Sequence, residues 1–283
     1  MRDRLILLGT KGGPSVWSYK PSPSANVLVY RGIANVIDAG YGATFKLIEA
    51  GVPLHAIGRI FITHHHSDHN IDLGPMLYAA WANGLRTSVD AYGPAGLIEH
   101  LAHFWKSNCF DIETRIADEG SVDLRTLVTP HEYREGAVFE APDLKVTALR
   151  NQHPPIAESY ALKFRFGGKT VVFSGDTAYF PPLAEFARGA DYLIHEVMYG
   201  PAIDALASRF QNAAKLLAHL KASHTRAEDV GRIATAAGVK NLVLNHFVPG
   251  GDNTIGPEMW IEAVRTTFSG TIVVGADLLE LEI

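Results

Sequence analysis

The sequence contains a single cysteine, Cys109, and no apolar run long enough to cross a membrane. One cysteine excludes an intramolecular disulfide framework, and its apolar surroundings predict a buried side chain. Basic charge is not in excess either, because 25 Lys and Arg face 30 Asp and Glu, a net charge of −5. Nucleic-acid binders usually carry a basic stripe, so this balance predicts no nucleic-acid partner. The lack of a long apolar run predicts no membrane partner.

The 283-residue chain has 47% hydrophobic and 19% charged residues, the composition of a globular protein. No repeat or long linker divides it, which predicts one domain over residues 1–283. We expect a cytoplasmic location, with the periplasm as the alternative if a signal segment was removed from a longer precursor.

Short apolar runs bounded by turn-forming residues alternate with segments of helical periodicity, which predicts an α/β domain with helices covering two sheets. Val122–Val128 is predicted as a strand and Asp204–Leu220 as a helix. The pair Gly167-Gly168 predicts a hairpin turn. A later helix is predicted to have Thr225 as its N-cap and Gly238 just beyond its end.

One short segment, Thr63–Asn70, holds four candidate metal ligands directly after an apolar strand. Alternate side chains of an extended chain share a face, so His64 and His66 point together and His65 points away. Asp68 and His69 follow where the chain can fold back. Imidazole and carboxylate in this spacing indicate a site for two metal ions.

Three more candidates stand singly at the ends of predicted strands, next to turn-forming residues. His153 precedes two prolines, Asp176 lies in Ser174-Gly175-Asp176-Thr177, and His246 ends a strand. Strand ends of a rigid scaffold are common positions for functional groups.

The order HxHxDH, lone His, SGDT and late His resembles that of the metallo-β-lactamase superfamily. The resemblance implies a four-layer αββα sandwich with a binuclear metal site at the sheet edge. It also implies a ligand set: His64, His66 and His153 for one metal, Asp68, His69 and His246 for the other, and Asp176 between them. Asp38 matches the early Asp-x-Gly of the superfamily, which supports the site without binding metal.

Within the superfamily, the chain looks most like the ribonuclease Z and arylsulfatase-like branch. Leu8-Gly9-Thr10 with Gly12-Gly13 resembles the opening of that branch, and His195-Glu196 and Ser223-His224-Thr225 resemble its later motifs. By this resemblance Glu196 orients His224, which donates a proton to the leaving group. Asp68 and Asp176 can orient the nucleophile.

Two departures from ribonuclease Z bear on the substrate. That enzyme carries a long tRNA-clamping arm between the lone His and SGDT, where this chain has only about twenty residues. The arginine that commonly follows the late His is also absent. These departures predict a small-molecule ester substrate in place of tRNA.

The expected activity is metal-dependent hydrolysis of a small ester by a hydroxide that bridges the metals. A phosphodiester or sulfate ester is favoured, with a lactone or cyclic amide as the alternative and RNA third. A metal-stabilised scaffold without catalysis is the alternative from another class. The imidazole-rich ligand set predicts two zinc ions, with manganese and iron left open. Because relatives are often dimers, a homodimer is expected.

Overall fold

The computed structural model describes residues 1–18, 20–206 and 213–283. The chain forms two compact units. Unit 1 consists of Met1–Gly9, Ser22–Tyr133 and Asp277–Ile283, and unit 2 consists of Thr10–Pro21 and Arg134–Ala276.

Unit 1 contains a seven-stranded sheet in the order β14-β1-β2-β3-β4-β5-β6. Its strands are β1 (Arg4–Gly9), β2 (Ala25–Tyr30), β3 (Ile33–Ala39), β4 (Ile57–Phe61), β5 (Val89–Gly93), β6 (Val128–Glu132) and β14 (Leu279–Leu281). Its helices are α1 (Ala43–Glu49), α2 (Ser67–Asn70), α3 (Leu73–Ala82), α4 (Leu97–Ser107), α5 (Cys109–Glu119) and α6 (Leu124–Leu127), with a 3-10 turn at Leu54–Ala56.

The strands from β3 to β6 are parallel, and the others in this sheet are antiparallel. Buried apolar side chains of β3 and β4 pack against a helix: Val36 and Ile60 belong to the same buried cluster as Leu77 and Met76 of α3. The carboxyl ends of adjacent parallel strands meet at one edge of the sheet, which is the usual position for a ligand site. The segment Thr63–Asn70 begins at that edge, just after β4.

Unit 2 contains a second seven-stranded sheet in the order β13-β12-β11-β10-β9-β8-β7. Its strands are β7 (Gly136–Ala141), β8 (Leu144–Arg150), β9 (Tyr160–Phe166), β10 (Lys169–Phe173), β11 (Tyr192–Met198), β12 (Asn241–Val248) and β13 (Thr271–Val274). Its helices are α7 (Pro182–Phe186), α8 (Gly200–Leu206), α9 (Ala213–Ser223), α10 (Ala227–Ala237) and α11 (Pro257–Arg265). Strands β10 to β13 are parallel, so the residues that end β10 and β12 share one edge.

The predicted hairpin turn at Gly167-Gly168 is confirmed: it joins antiparallel β9 and β10, and both glycines have positive φ. Gly238 follows α10 with a φ of 60°, as predicted. Thr225 is not the N-cap of α10, which is Arg226. The Thr225 hydroxyl donates instead to the backbone oxygen of Thr177, 2.6 Å away.

The segment Val122–Val128 is not one strand, because α6 occupies Leu124–Leu127. Asp123 ends the extended conformation by accepting a hydrogen bond from the backbone N–H of Arg125, 2.9 Å away. Cys109 is exposed, contrary to prediction, because it begins α5 with its side chain on the outer surface. The predicted helix Asp204–Leu220 corresponds in part to α8 and α9, and its residues 207–212 lie outside the described residues.

Across the described ranges, we find no helix that is both long and apolar enough to span a membrane.

Replacing Leu77 with Ala tests the packing of unit 1. Leu77 is fully buried under the sheet, so the substitution should lower the free energy of unfolding by about 2–5 kcal/mol. The matched control is Ile98→Ala on α4, where half of the side chain is exposed and the loss should stay within about 0.5 kcal/mol. Urea unfolding followed by circular dichroism measures both, and equal losses would contradict the assignment of Leu77 to the core.

Candidate active site

The segment after β4 gathers three imidazoles and a carboxylate within unit 1. His64, Asp68 and His69 are buried and His66 is half-buried. Nε2 of His64 lies 3.1 Å from Nδ1 of His66. Two nitrogens bound to one tetrahedral zinc ion, with bonds of about 2.0–2.1 Å, lie about 3.3 Å apart. The spacing of these two rings therefore fits a shared metal ion.

Asp38 holds this segment in place from the neighbouring strand. Its carboxylate accepts hydrogen bonds from the backbone N–H of Thr63, at 2.8 Å, and from Nδ1 of His69, at 2.7 Å. Because Nδ1 of His69 is a donor, Nε2 carries the lone pair that can bind a metal.

The same carboxylate fixes a second imidazole through Thr63. The Thr63 hydroxyl lies 3.0 Å from the Asp38 carboxylate and 3.1 Å from Nδ1 of His64. A carboxylate only accepts, so the hydroxyl donates to Asp38 and accepts from His64. The Nε2 atom of His64 is thereby also left as the metal-binding nitrogen.

A backbone irregularity places Asp38 in this position. Ala25 pairs with Ala39 and Asn26 with Ile37, so Asp38 is the extra residue of a β-bulge, with a φ of +61°. Gly40 follows it where the Asp68 backbone approaches closely: a Cβ on Gly40 would lie 2.3 Å from the Asp68 oxygen. The Asp-x-Gly motif thus combines a carboxylate clamp with room for the ligand segment.

Unit 2 gathers the three single candidates. Nε2 of His246 lies 3.1 Å from Oδ2 of Asp176, and Nε2 of His153 lies 3.9 Å from the same oxygen. All three residues are buried. Nδ1 of His153 donates to the backbone oxygen of Ser223, 3.0 Å away, which again leaves Nε2 as the metal-binding nitrogen.

His246 is placed by a second bulge. Glu196 pairs with Asn245 and Val197 with Phe247, so His246 is the extra residue on β12, with a φ of +42°. Its ring packs against Gly12, where an added Cβ would lie 2.9 Å from Cε1 of His246. Strain of this kind is common where a side chain is directed into a functional site.

Glu196 and His224 form the predicted pair. Nδ1 of His224 lies 3.2 Å from the Glu196 carboxylate, which also accepts the backbone N–H groups of Thr177, at 2.9 Å, and Thr225, at 3.2 Å. Burial raises the pKa of Glu196. Ligand atoms of Glu196, His224 and His246 lie within 4.8 Å of one another. Because its oxygens already accept several N–H groups, Glu196 is better suited to orient His224 than to bind a metal.

The donor set fits a divalent metal ion in both units. Buried histidines and aspartates lie together in each unit. The Nδ1 atoms of His64, His69 and His153 face fixed acceptors, so Nε2 of each ring carries the lone pair that can bind a metal. The sequence pattern found the ligand candidates and missed the groups that orient them, Thr63 and the Ser223 backbone oxygen. His219 also lies near these groups, since its ring centroid is 6.5 Å from that of His153 and 6.4 Å from that of His224.

Two further histidines do not join the ligands. His65 turns away from His64 and His66, as predicted, and lies against the Pro94 oxygen and Asn70. His195 is buried, its Nδ1 donates to the backbone oxygen of Glu196, and burial lowers its pKa to about 4. His195 therefore stays neutral and structural.

A family model described as anti-Pycsar protein Apyc1 matches residues 4–225. This chain belongs to the Apyc1 family.

The Apyc1-family chain is similar to further proteins along nearly its whole length. A ribonuclease Z of Mycobacterium marinum is 29% identical over 283 residues, which cover 99% of this chain and 98% of that protein. The metallo-β-lactamase fold protein YhfI of Bacillus subtilis has a TM-score of 0.72 at 21% identity, with 100% of both chains covered. The short form of human tRNase Z has a TM-score of 0.70 at 19% identity, with 99% of each chain covered.

These comparisons confirm the predicted fold class, an α/β sandwich of the metallo-β-lactamase type, and the ribonuclease Z branch. This Apyc1-family chain is a metallo-β-lactamase fold hydrolase, and its buried His and Asp clusters are consistent with metal ions.

The expectation of no nucleic-acid partner is wrong. The relative that aligns over almost the whole chain is named ribonuclease Z, an enzyme named for acting on RNA. The short segment between His153 and Asp176 does not argue against that name, because the alignment also spans almost all of the relative, which is therefore of about the same length. The net charge did not predict the partner either, because a sum over all charged residues does not show the electrostatic potential at one site.

Replacing Asp38 with Asn tests whether the Asp38 carboxylate holds His69 and Thr63 in position. The new amide offers one oxygen in place of two and presents N–H groups, so it cannot hold both the His69 and Thr63 donors. We expect affinity for zinc to fall about 10- to 100-fold, as measured by competition with a chromogenic chelator. The control is Asp90→Asn, whose carboxylate pairs with half-exposed His131, and its zinc affinity should match that of the wild type. Unchanged zinc affinity in the Asp38 variant would contradict the claim that this carboxylate positions the candidate ligands.

Proposed function

We propose that this chain is a metal-dependent phosphodiester hydrolase that acts on RNA. The observation that carries the proposal is the set of buried imidazoles whose Nδ1 atoms are held by Asp38, Thr63 and the Ser223 oxygen. Imidazoles fixed in this way are typical of metal ligands. The similarity to ribonuclease Z over 99% of the chain supports RNA as the substrate.

We further propose that the candidate ligands bind two zinc ions. Tetrahedral zinc takes four ligands, of which a catalytic site supplies three from the protein. Within single units, the neighbouring pairs of candidate ligands include His64 with His66, Asp68 with His69, and Asp176 with His153 or His246. The superfamily resemblance implies His64, His66 and His153 as the ligands of one ion and Asp68, His69 and His246 as those of the other, with Asp176 as a ligand of both.

The chemistry divides between the metals and the chain. When bound, divalent ions supply a water acidic enough to attack at neutral pH and a Lewis acid for the phosphoryl oxygen. Asp68 orients the attacking water. His224, oriented through Nδ1 by Glu196, presents Nε2 to the leaving oxygen and donates a proton to it.

A small phosphodiester or sulfate ester is the second candidate substrate. Its hydrolysis needs the same two contributions as that of RNA, a Lewis acid for the ester oxygen and a proton for the leaving group. The Glu196–His224 pair favours esters whose leaving group needs a proton over lactones and cyclic amides.

Metal analysis with a ribonuclease assay tests the proposal. Untagged protein should hold about two zinc ions per chain, and it should cleave single-stranded RNA and bis-p-nitrophenyl phosphate in a chelator-sensitive way. Asp176→Asn should keep the fold and lose at least about 99% of both activities, since it removes the shared carboxylate. Asp229→Asn, whose carboxylate pairs with Arg232 on α10, is the control and should be fully active. Retained turnover in the Asp176 variant would exclude the shared-ligand role, and cleavage of the small ester alone would select the second candidate.

Replacing His224 with Ala tests proton donation. A general acid contributes about 10²–10⁴-fold when the leaving group is a poor one. The variant should therefore lose that much on RNA, whose leaving group is an alkoxide, and about tenfold or less on bis-p-nitrophenyl phosphate, whose leaving group is stable without a proton. Steady-state kcat on both substrates gives the comparison. Equal losses on the two would show that His224 acts in another way.

A further inference from the structure

A second histidine cluster lies in unit 1, on the other side of the ligand segment. Three of its residues, His65, Ser67 and Asn70, alternate along the chain with the candidate ligands His64, His66, Asp68 and His69. They form one wall of a pocket. The other wall is the start of α4, with Gly96, Glu99, His100 and His103.

The rings of His65 and His100 face each other across this pocket. They are nearly parallel, with an interplanar angle of 17°, and their centroids lie 6.3 Å apart. Stacked carbon atoms are in best contact at about 3.5–4.0 Å, so a flat ring held between two others needs about 7 Å. A movement of about 1 Å by the half-buried His100 side chain would admit one.

The two walls are held firmly. Nε2 of His65 donates to the Pro94 oxygen, and its Nδ1 accepts from the Asn70 amide, 3.1 Å away. Glu132 accepts the backbone N–H groups of Gly96 and Ile98, at 2.8 and 3.2 Å, which fixes the start of α4. The His65 ring therefore presents a flat face, with both of its nitrogens already engaged.

The polar groups of the pocket indicate what kind of ring it binds. Among the described residues that line it there is no Lys or Arg, and Glu99 adds a carboxylate, so phosphate is disfavoured. Burial also lowers the pKa of His100, which keeps that ring neutral at pH 7. The Glu99 carboxylate and the Asn70 side-chain oxygen are acceptors for N–H groups at the edge of a ring. A nucleobase combines flat faces with such an edge, and bases of single-stranded RNA stack on histidine and other aromatic side chains.

We propose that the His65–His100 pocket binds one nucleobase of the RNA substrate, stacked between the two imidazoles. The inference rests on the proposed action on RNA. It assigns the pocket to substrate binding and leaves the chemical step to the residues described above.

The test compares His100→Ala, which removes one stacking face, with His100→Phe, which keeps it. With zinc-loaded protein, His100→Ala should raise KM for a single-stranded RNA about tenfold, the effect of losing one stacked base, with kcat little changed. His100→Phe should stay within about threefold of wild type. His55→Ala, an exposed histidine of the same unit, is the control and should match wild type. Hydrolysis of bis-p-nitrophenyl phosphate, which has no base, should be unchanged in all three variants.

Two outcomes would overturn the pocket assignment: an unchanged KM for RNA in His100→Ala, or equal losses on RNA and the small ester, which would place the effect on the metal-binding segment.

A binding assay separates this failure from failure of the proposed function. In the Asp176→Asn background, fluorescence anisotropy of a labelled RNA hexamer should show about tenfold weaker binding when His100→Ala is added. If wild-type protein cleaves only the small ester and the hexamer binds equally with and without His100, both proposals fail. If the hexamer still binds through His100, only RNA turnover fails.

Discussion

The candidate site depends first on the Asp38 carboxylate. It accepts hydrogen bonds from the Thr63 backbone, the Thr63 hydroxyl and Nδ1 of His69. Through the hydroxyl it also determines which nitrogen of the His64 ring carries the hydrogen. A segment rich in histidine would otherwise have many side-chain arrangements and either nitrogen of each ring available. One buried carboxylate reduces these to a single arrangement with Nε2 of both rings available to a metal. That preorganisation is what a metal site requires of its surroundings.

A β-bulge in each sheet positions one side chain of the candidate site. Asp38 and His246 are each the extra residue on a strand, and each has a positive φ that a side-chain-bearing residue seldom adopts. A regular strand alternates its side chains between two faces, and a bulge redirects one of them at the strand end. Both residues lie on strands that have a parallel neighbour, near the carboxyl end, where functional groups collect in α/β folds.

The sequence was sufficient for the superfamily, and it singled out the candidate ligands and the carboxylate partner of the first ligand segment, because these are carried by motifs with fixed local spacing. It did not reveal the Ser223 oxygen behind His153, since a backbone acceptor seventy residues away leaves no pattern. The segment after Asp123 was predicted as a strand and forms a helical turn, because the Asp123 side chain accepts a local hydrogen bond. Such side-chain to backbone bonds compete with strand pairing, and apolar content does not reveal them. The inference against nucleic acid failed for a related reason. Net charge says little about a site in which bound cations are the largest local charges.

The central claim is that these buried imidazoles and carboxylates are metal ligands. A crystal structure of zinc-loaded protein, with anomalous data collected on both sides of the zinc absorption edge, tests it directly. Two zinc peaks per chain are expected, one about 2.1 Å from Nε2 of His64 and the other about 2.1 Å from Nε2 of His69. Peaks elsewhere, or metal bound through Nδ1 of His69 with its hydrogen bond to Asp38 broken, would contradict it.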